Sequence, residues 1–375
     1  MTLIVILCLA ISGCTGPTAR GWSGFTGNNK LIYVGAQDGG VLAIDPSARG
    51  RGLNFPSQGE WEYTIKLPAA SSMCGIPSCA PGGGAVGVVL YASPVLSDDL
   101  LYVGTYSGKI YALNSTTGAL RWVYPREGNE TLGSIVGNIA TDNSSIYFGS
   151  SNGKVYALDK ATGDRKWPEY ETLDRIWTSP AVSDGIIYVS SYDKKLHAIS
   201  TTDGKKVWQT ELSAAICSSP VVSKDTIYCG TFDRNLYALS KTDAKVLWKF
   251  EGGNWFWTDP IVQNDVIYAG CLDSRIYAID STTGKEKWHF QCDKAIVSKP
   301  VLVSDKLAAV SESGTFYFLD AGTGELKKTV SIGSGVLSPL FVSGNSIYVH
   351  SHDDYVYALD VQSGEIAWKF KRVAK

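Results

Sequence analysis

Histidine and aspartate residues that could bind a metal ion lie close together at one place in the sequence, the segment His350-Ser351-His352-Asp353. Alternate residues of a strand point to the same face, so both imidazoles could point one way. Two imidazoles and a carboxylate would be acceptable ligands for zinc or copper. A polar strand end that opens onto solvent explains the same residues more simply. We therefore expect no metal site, and we name His350, His352 and Asp353 as the residues that would form one.

The cysteines indicate a disulfide more than a metal site. Cys74 and Cys79 flank the turn-forming residues Gly-Ile-Pro-Ser, and no second cysteine or histidine pair follows at zinc-ligand spacing. In an oxidising compartment this pair would form a disulfide. The pairing of four later cysteines stays open, namely Cys217, Cys229, Cys271 and Cys292.

Signals for catalysis and for nucleic-acid binding are absent from the sequence. We find no Gly-x-Ser-x-Gly nucleophile motif and no phosphate-binding loop. A net charge of -2 argues against a polyanionic partner, which would require a basic patch or stripe. We expect no enzyme, no cofactor and no nucleic-acid partner.

A repeat accounts for most of the chain. The pattern Ile-Tyr-x-Gly, or a close variant, recurs at Ile32, Leu101, Ile146, Ile187, Ile227, Ile267, Leu307 and Ile347. The last five of these positions are 40 residues apart. Repeats of this length that consist of short strands are typical of β-propellers.

One repeat unit predicts one four-stranded antiparallel blade. Residues 178–183, 186–191, 196–199 and 206–209 read as short strands, and Asp184-Gly185 is a hairpin-turn signal. Eight such units predict an all-β, eight-bladed β-propeller over residues 21–372. An inserted loop at about residues 67–90 interrupts it.

Alanine, glycine and tryptophan occupy fixed places late in each unit. Ala112, Gly118 and Trp122 stand at relative positions 1, 7 and 11. The tryptophans of this position are Trp61, Trp122, Trp167, Trp208, Trp248, Trp288 and Trp368. This spacing resembles the tryptophan-docking motif of the PQQ-like β-propeller repeat family. The resemblance implies that each indole packs between neighbouring blades.

Blade seven departs from this motif, because Phe318 replaces the alanine and Lys328 the tryptophan. A large-for-small change beside a small-for-large one conserves volume. We expect Phe318 to fill the space that the missing indole leaves.

Aromatic residues cluster where first strands begin, which places them on one face, here called the top. These are Trp22, Tyr91, Trp177 and Trp257, with Trp255 nearby. Such side chains could stack on a planar ligand or a sugar, or anchor a peptide. Alternatively, they plug the central channel.

The resemblance also limits the function. PQQ-dependent dehydrogenases share the motif but carry an adjacent cysteine pair and a calcium ion held by Glu, Asn and Asp, and no two cysteines are adjacent here. In length, blade number and leader the chain is similar to the non-catalytic, BamB-like lipoprotein branch. That similarity implies a monomeric scaffold that binds proteins of the cell envelope. The alternative is a small-molecule or glycan receptor that uses the aromatic top face, and a PQQ- or metal-dependent enzyme ranks behind both.

The N-terminus predicts export. Residues 1–14 form an apolar signal-peptide-like segment that ends in Ile11-Ser12-Gly13-Cys14, similar to a bacterial lipobox. Residues 15–20 form a short linker. No basic residue precedes Arg20, which is unusual for a signal peptide. We expect lipidation at Cys14 and an extracytoplasmic, membrane-anchored lipoprotein at the cell surface or in the periplasm. An ordinary cleaved signal or an uncleaved anchor is the alternative.

Overall fold

The computed structural model describes residues 21–65, 88–126 and 132–372, and it confirms the predicted eight-bladed β-propeller. Each blade is a four-stranded antiparallel sheet whose strand order follows the chain. Within the described residues, no helix is long and apolar enough to cross a membrane. The leader, Cys14, Cys74, Cys79 and most of the inserted loop lie outside the described residues.

The strand bounds follow the repeat. Blades one and two contain β1 Phe25–Gly27, β2 Ile32–Gly35, β3 Gly40–Ile44, β4 Trp61–Thr64, β5 Val95–Ser97, β6 Leu100–Gly104, β7 Ile110–Asn114 and β8 Leu120–Tyr124. Blades three and four contain β9 Ala140–Thr141, β10 Ser145–Gly149, β11 Lys154–Asp159, β12 Tyr170–Glu171, β13 Ala181–Ser183, β14 Ile186–Ser190, β15 Lys195–Ser200 and β16 Lys206–Glu211. Blades five and six contain β17 Val221–Ser223, β18 Thr226–Gly230, β19 Asn235–Ser240, β20 Val246–Glu251, β21 Ile261–Gln263, β22 Val266–Gly270, β23 Arg275–Asp280 and β24 Glu286–Gln291. Blades seven and eight contain β25 Val301–Val303, β26 Lys306–Val310, β27 Thr315–Asp320, β28 Leu326–Ser331, β29 Phe341–Ser343, β30 Ser346–His350, β31 Val356–Asp360 and β32 Ile366–Phe370.

The core is divided among the junctions between blades. First strands of neighbouring blades contact one another and therefore line the axis. Second and third strands are almost wholly buried, while fourth strands alternate between exposed and half-buried residues. Each hydrophobic cluster combines side chains of two adjacent blades, such as Tyr188 and Leu196 of blade four with Ile227 of blade five. The blades are therefore stabilised mainly by burial against their neighbours.

The repeated tryptophans lie across these junctions. The ring of Trp122 lies against Gly163 of the next blade, where an added Cβ would be 2.6 Å from the indole. Gly163 also has a φ of +72°, which glycine adopts without strain. Indole N–H groups donate to carbonyls of the next blade at 2.9–3.2 Å in Trp61, Trp122, Trp167, Trp208, Trp248 and Trp288. Small residues and indoles thus alternate around the rim of the ring.

Blade seven replaces three coupled positions. In blade six, Tyr268, Ala278 and Trp288 are cross-strand neighbours. Their counterparts in blade seven are Ala308, Phe318 and Lys328. Phe318 is 3% exposed, and its ring lies against Gly364 of blade eight, as indoles do elsewhere. The Lys328 ammonium donates to the Ser363 carbonyl at 2.7 Å, two residues beyond the position whose carbonyl the Trp288 indole reaches in the preceding junction.

Among the described strands, blade one meets blade eight without strand exchange. Helix α1 (Pro46–Gly50) connects β3 to β4, and its Arg49 lies over the Phe370 ring at 5.0 Å. On the top face, Arg372 pairs with Asp38 and Glu62 of blade one. The Gln37 amide donates to the His352 carbonyl at 3.1 Å. Side-chain contacts therefore close the ring on both faces.

Candidate interaction face

Aspartates in the second-to-third turns order the links between blades. Asp193 Oδ1 accepts from the Lys195 amide at 2.9 Å, and its Oδ2 accepts from the Leu173 amide at 3.1 Å. The same carboxylate position in blade six, Asp273, accepts from the Gly253 amide at 3.0 Å. Each of these aspartates stabilises its own turn and fixes the link that arrives from the preceding blade.

A buried polar chain fixes the link between blades three and four. His197 Nε2 lies 3.1 Å from Asp193 Oδ2, and its Nδ1 lies 3.0 Å from the Tyr170 hydroxyl. The side chains of His197 and Asp193 are 3% and 2% exposed. Burial raises the pKa of Tyr170. Burial alone would also raise the pKa of Asp193, but hydrogen bonds from His197 and the Leu173 amide outweigh it and lower the pKa. These contacts hold His197 in a structural role.

Five aromatic rings form a continuous row across blades four to six. Trp177 contacts Tyr192 at 5.4 Å between ring centroids, and Tyr192 contacts Phe232 at 5.5 Å. Phe232 in turn lies 4.8 Å from Trp255 and 6.0 Å from Trp257. We call these five residues the aromatic row. The first three of these pairs are edge-to-face and the fourth is tilted, and edge-to-face geometry is favourable for aromatic pairs.

The aromatic row adjoins a cation and an exposed apolar side chain. The Arg175 guanidinium lies 4.9 Å from the Trp177 ring centroid and 5.2 Å from that of Tyr192. Leu173 is 83% exposed, and Trp255 is 38% exposed. The Trp177 indole N–H has no hydrogen-bond partner among the described residues. Together with Leu173 and Arg175, the aromatic row forms a surface that we call the top patch.

The five predicted aromatic residues fall into two groups. Trp177, Trp255 and Trp257 belong to the top patch, whereas Trp22 and Tyr91 pair at 4.3 Å on blades one and two. Tyr106 joins that second group at 5.1 Å from Tyr91.

Sequence reasoning missed Tyr192, Phe232 and Arg175. Tyr192 and Phe232 could have been found, because they are 40 residues apart and each precedes a turn aspartate. Nothing in the repeat singles out Arg175, which lies in a link whose residues vary from blade to blade.

The structure separates the residues considered for a metal. Strand β30 ends at His350, whose Nε2 lies 2.8 Å from Asp354 Oδ1 near the junction with blade one. His352 lies in the following turn, where its ring lies near Gly335, and Asp353 accepts from Ser351. In the described ranges, no three His, Cys, Asp or Glu residues are grouped to hold a metal ion.

Four cysteines in the described residues are unpaired and buried, namely Cys217, Cys229, Cys271 and Cys292. Burial raises the pKa of Cys229, Cys271 and Cys292 to about 12. Thiols with such pKa values are inert at neutral pH, because the thiolate is the reactive form.

Fold, docking geometry and top face define a propeller of PQQ-like repeats. Within that class, the chain belongs to the family described as outer membrane protein assembly factor BamB, whose model matches residues 18–176 and 151–370. The BamB of Yersinia pestis is 22% identical over 201 residues, which cover 51% of this chain and 44% of that protein. The chain thus aligns with less than half of that relative's length.

Solved structures share the fold. BamB from Moraxella catarrhalis superposes with a TM-score of 0.70 at 19% identity, covering 94% of this chain and 95% of that one. A computationally designed protein, Ika8, superposes with a TM-score of 0.73 at 15% identity, covering 91% and 96%. At these identities both likenesses show the fold alone, and function has to be argued from the site.

Proposed function

We propose that this protein is a non-catalytic scaffold that binds protein partners in the cell envelope during assembly of outer membrane proteins. The observation that carries the proposal is the top patch. It combines an exposed leucine, an arginine stacked on aromatic rings and several tryptophans, and side chains of these types dominate protein interfaces. Membership in the BamB family supports the setting of outer membrane protein assembly.

The links that carry the patch are well suited to recognition. Leu173 extends from a link that Asp193 fixes through its main-chain amide. The side chain is exposed while its backbone is held, so little conformational entropy is lost when a partner binds. A partner with an apolar pocket for Leu173 and a carboxylate for Arg175 would match the patch.

Crosslinked pull-down from native membranes tests this function. Wild-type protein should recover a discrete envelope protein, and Leu173→Ala and Arg175→Ala should each reduce the recovery at least about tenfold, as loss of interface anchors does. Leu247→Ala and Arg121→Ala, exposed side chains of the same types on fourth strands, serve as matched controls. Undiminished recovery with both patch variants would refute a role for the patch, and recovery of no protein would refute the scaffold.

A glycan or small planar ligand is the second candidate for the same face. The observation that favours it is the indole N–H of Trp177, which is buried beside edge-to-face rings and has no hydrogen-bond partner among the described residues. A receptor would show tryptophan fluorescence changes with ligand that are lost in Trp177→Ala or Trp257→Ala. An enzyme, by contrast, would bind PQQ or a metal stoichiometrically.

We further propose that residues 1–14 are a signal peptide that ends at a lipidated Cys14, followed by a linker at residues 15–20. The lipobox-like sequence supports the proposal. Cys14→Ala should move the protein from the membrane fraction to the soluble fraction. Retention of that variant in membranes would contradict the lipid anchor.

The inserted loop at about residues 67–90 would carry a disulfide between Cys74 and Cys79. Their spacing around a Gly-Ile-Pro-Ser turn supports this pairing. Mass spectrometry of a non-reduced digest should show the two cysteines linked, and alkylation of both without a reductant would contradict it.

A further inference from the structure

A cavity of about 460 Å³ lies on the propeller axis, and all eight blades contribute to its wall. One repeat position at the start of the first strands dominates the wall. It is occupied in chain order by Gly24, Ser93, Asn138, Ser179, Ser219, Asp259, Lys299 and Pro339. Asp259 and Lys299 are the charged residues among the described residues of this wall. They come from neighbouring blades.

Hydrogen bonds connect this position from blade to blade over five junctions. The amide of each residue donates to the side chain of its counterpart in the next blade, as from Asn138 to Ser179 at 2.9 Å. The full series runs from Gly24 to Ser93, Asn138, Ser179, Ser219 and Asp259 at 2.7–3.1 Å. Over these blades the wall satisfies its own donors.

The series stops where the charged residues stand. Asp259 accepts the Ser219 amide through Oδ1, but its own counterpart in the next blade is Lys299, whose side chain has no acceptor for the Asp259 amide. The counterpart of Lys299 in blade eight is Pro339, whose side chain has neither a hydroxyl nor a carboxylate to accept the Lys299 amide. Among the described residues, neither of these amides nor the Lys299 ammonium has a hydrogen-bond partner, and Asp259 and Lys299 form no ion pair. One side of the cavity therefore presents free donors beside a carboxylate.

We propose that this cavity is a binding site for a small zwitterion, such as an amino acid or a short peptide. The ligand carboxylate would accept from the Lys299 ammonium and the two free amides. The ligand ammonium would donate to the Oδ2 of Asp259. An apolar side chain would lie against Phe25 and Leu340, which also line the cavity. This site is independent of the top patch and of the proposed scaffold role.

Isothermal titration calorimetry of the purified full-length protein tests the site. The probes are glycine, L-leucine and the dipeptide Gly-Leu, with acetate and ethylamine as singly charged controls. At least one zwitterion should bind saturably, and both singly charged compounds should bind at least about tenfold more weakly, because each forms only one charge-assisted contact.

Serine substitutions at this position are compatible with the fold, since serine already occupies it in blades two, four and five. Lys299→Ser and Asp259→Ser should each weaken binding at least about tenfold. The exposed Lys294, five residues upstream, gives the matched control Lys294→Ser, which should bind as wild type does. Thermal unfolding confirms that each variant is folded. Absence of saturable binding to wild type, unchanged binding to Lys299→Ser, or acetate binding as tight as glycine binding would each overturn the proposal.

Discussion

Trp122 shows how much a single side chain contributes to a junction between blades. It is 8% exposed, its indole N–H donates to the Lys160 carbonyl, and its ring covers Gly163. Trp122→Ala should lower the free energy of unfolding by about 3–5 kcal/mol, because it leaves a cavity and an unpaired carbonyl. Denaturant titration measures the loss.

The control is Lys328→Ala, which changes the same position in blade seven. It should lower the free energy of unfolding by less than about 1 kcal/mol, since that side chain is 36% exposed. Equal losses in the two variants would contradict the docking role.

The surroundings of Asp293 lead us to expect that its contribution to stability depends on pH. Burial alone would raise its pKa, but hydrogen bonds from hydroxyl groups of Ser313, Tyr317 and Thr315 outweigh it and lower the pKa to about 2. Because this pKa is depressed in the folded state, Asp293 adds stability at pH values above its unfolded-state pKa of about 3.9. This contribution is lost as the pH falls towards about 2.

Asp293→Asn should therefore lower the Tm by a few degrees at pH 7, and the difference from wild type should shrink between about pH 4 and pH 2. Calorimetry across that range measures both effects. Asp305→Asn, at an exposed turn position, is the control and should differ little from wild type at any pH. A constant difference for Asp293→Asn across the range would show that the carboxylate's charge is not the cause.

Blade seven tests whether three substitutions act as one unit. Ala308, Phe318 and Lys328 occupy neighbouring positions on three adjacent strands. The same positions in blade six hold Tyr268, Ala278 and Trp288. Phe318→Ala alone should cost about 3–5 kcal/mol, because it empties the space against Gly364. The triple variant Ala308→Tyr, Phe318→Ala, Lys328→Trp should return to within about 1 kcal/mol of wild type, since packed neighbours are not additive. Denaturant titration of both variants measures the coupling. If Phe318→Ala costs no more than an exposed substitution, Phe318 does not fill the junction.

The sequence predicts elements of this fold better than the contacts between them. Strands, blade number and docking tryptophans follow from a 40-residue period, because repeated surroundings require repeated residues. Whether His350 and His352 share a face depended on where β30 ends, which the pattern did not reveal. The volume exchange in blade seven was visible as Phe318 and Lys328, yet Ala308 became part of it only through strand register.

At the scale of the whole molecule, ring closure is what the repeat could not predict. Every blade is formed from contiguous strands, so within residues 21–372 no main-chain hydrogen bonding between strands joins blade one to blade eight. Closure depends instead on features that occur once. These are α1, which replaces the short third-to-fourth turn of other blades, and Arg372, which follows the last strand. The cavity on the axis likewise departs from the repeat, since its two charged residues interrupt a series of polar ones.

Arg372→Ala should loosen this closure selectively. The Arg372 side chain is 9% exposed and pairs with Asp38 and Glu62, so its removal leaves two carboxylates without their cation. Both carboxylates keep contact with solvent, which limits the expected loss to about 1–2 kcal/mol.

Because the ring has only this junction without chain continuity, the loss should appear locally. Hydrogen exchange should accelerate at β1, β2 and β32 and stay unchanged at the junction of blades four and five. Lys371→Ala removes a neighbouring cation that donates to the Asp353 carbonyl within blade eight, and it should leave exchange at β1 unaffected. Uniform acceleration around the ring, or none at β1, would show that Arg372 does not hold the two ends together.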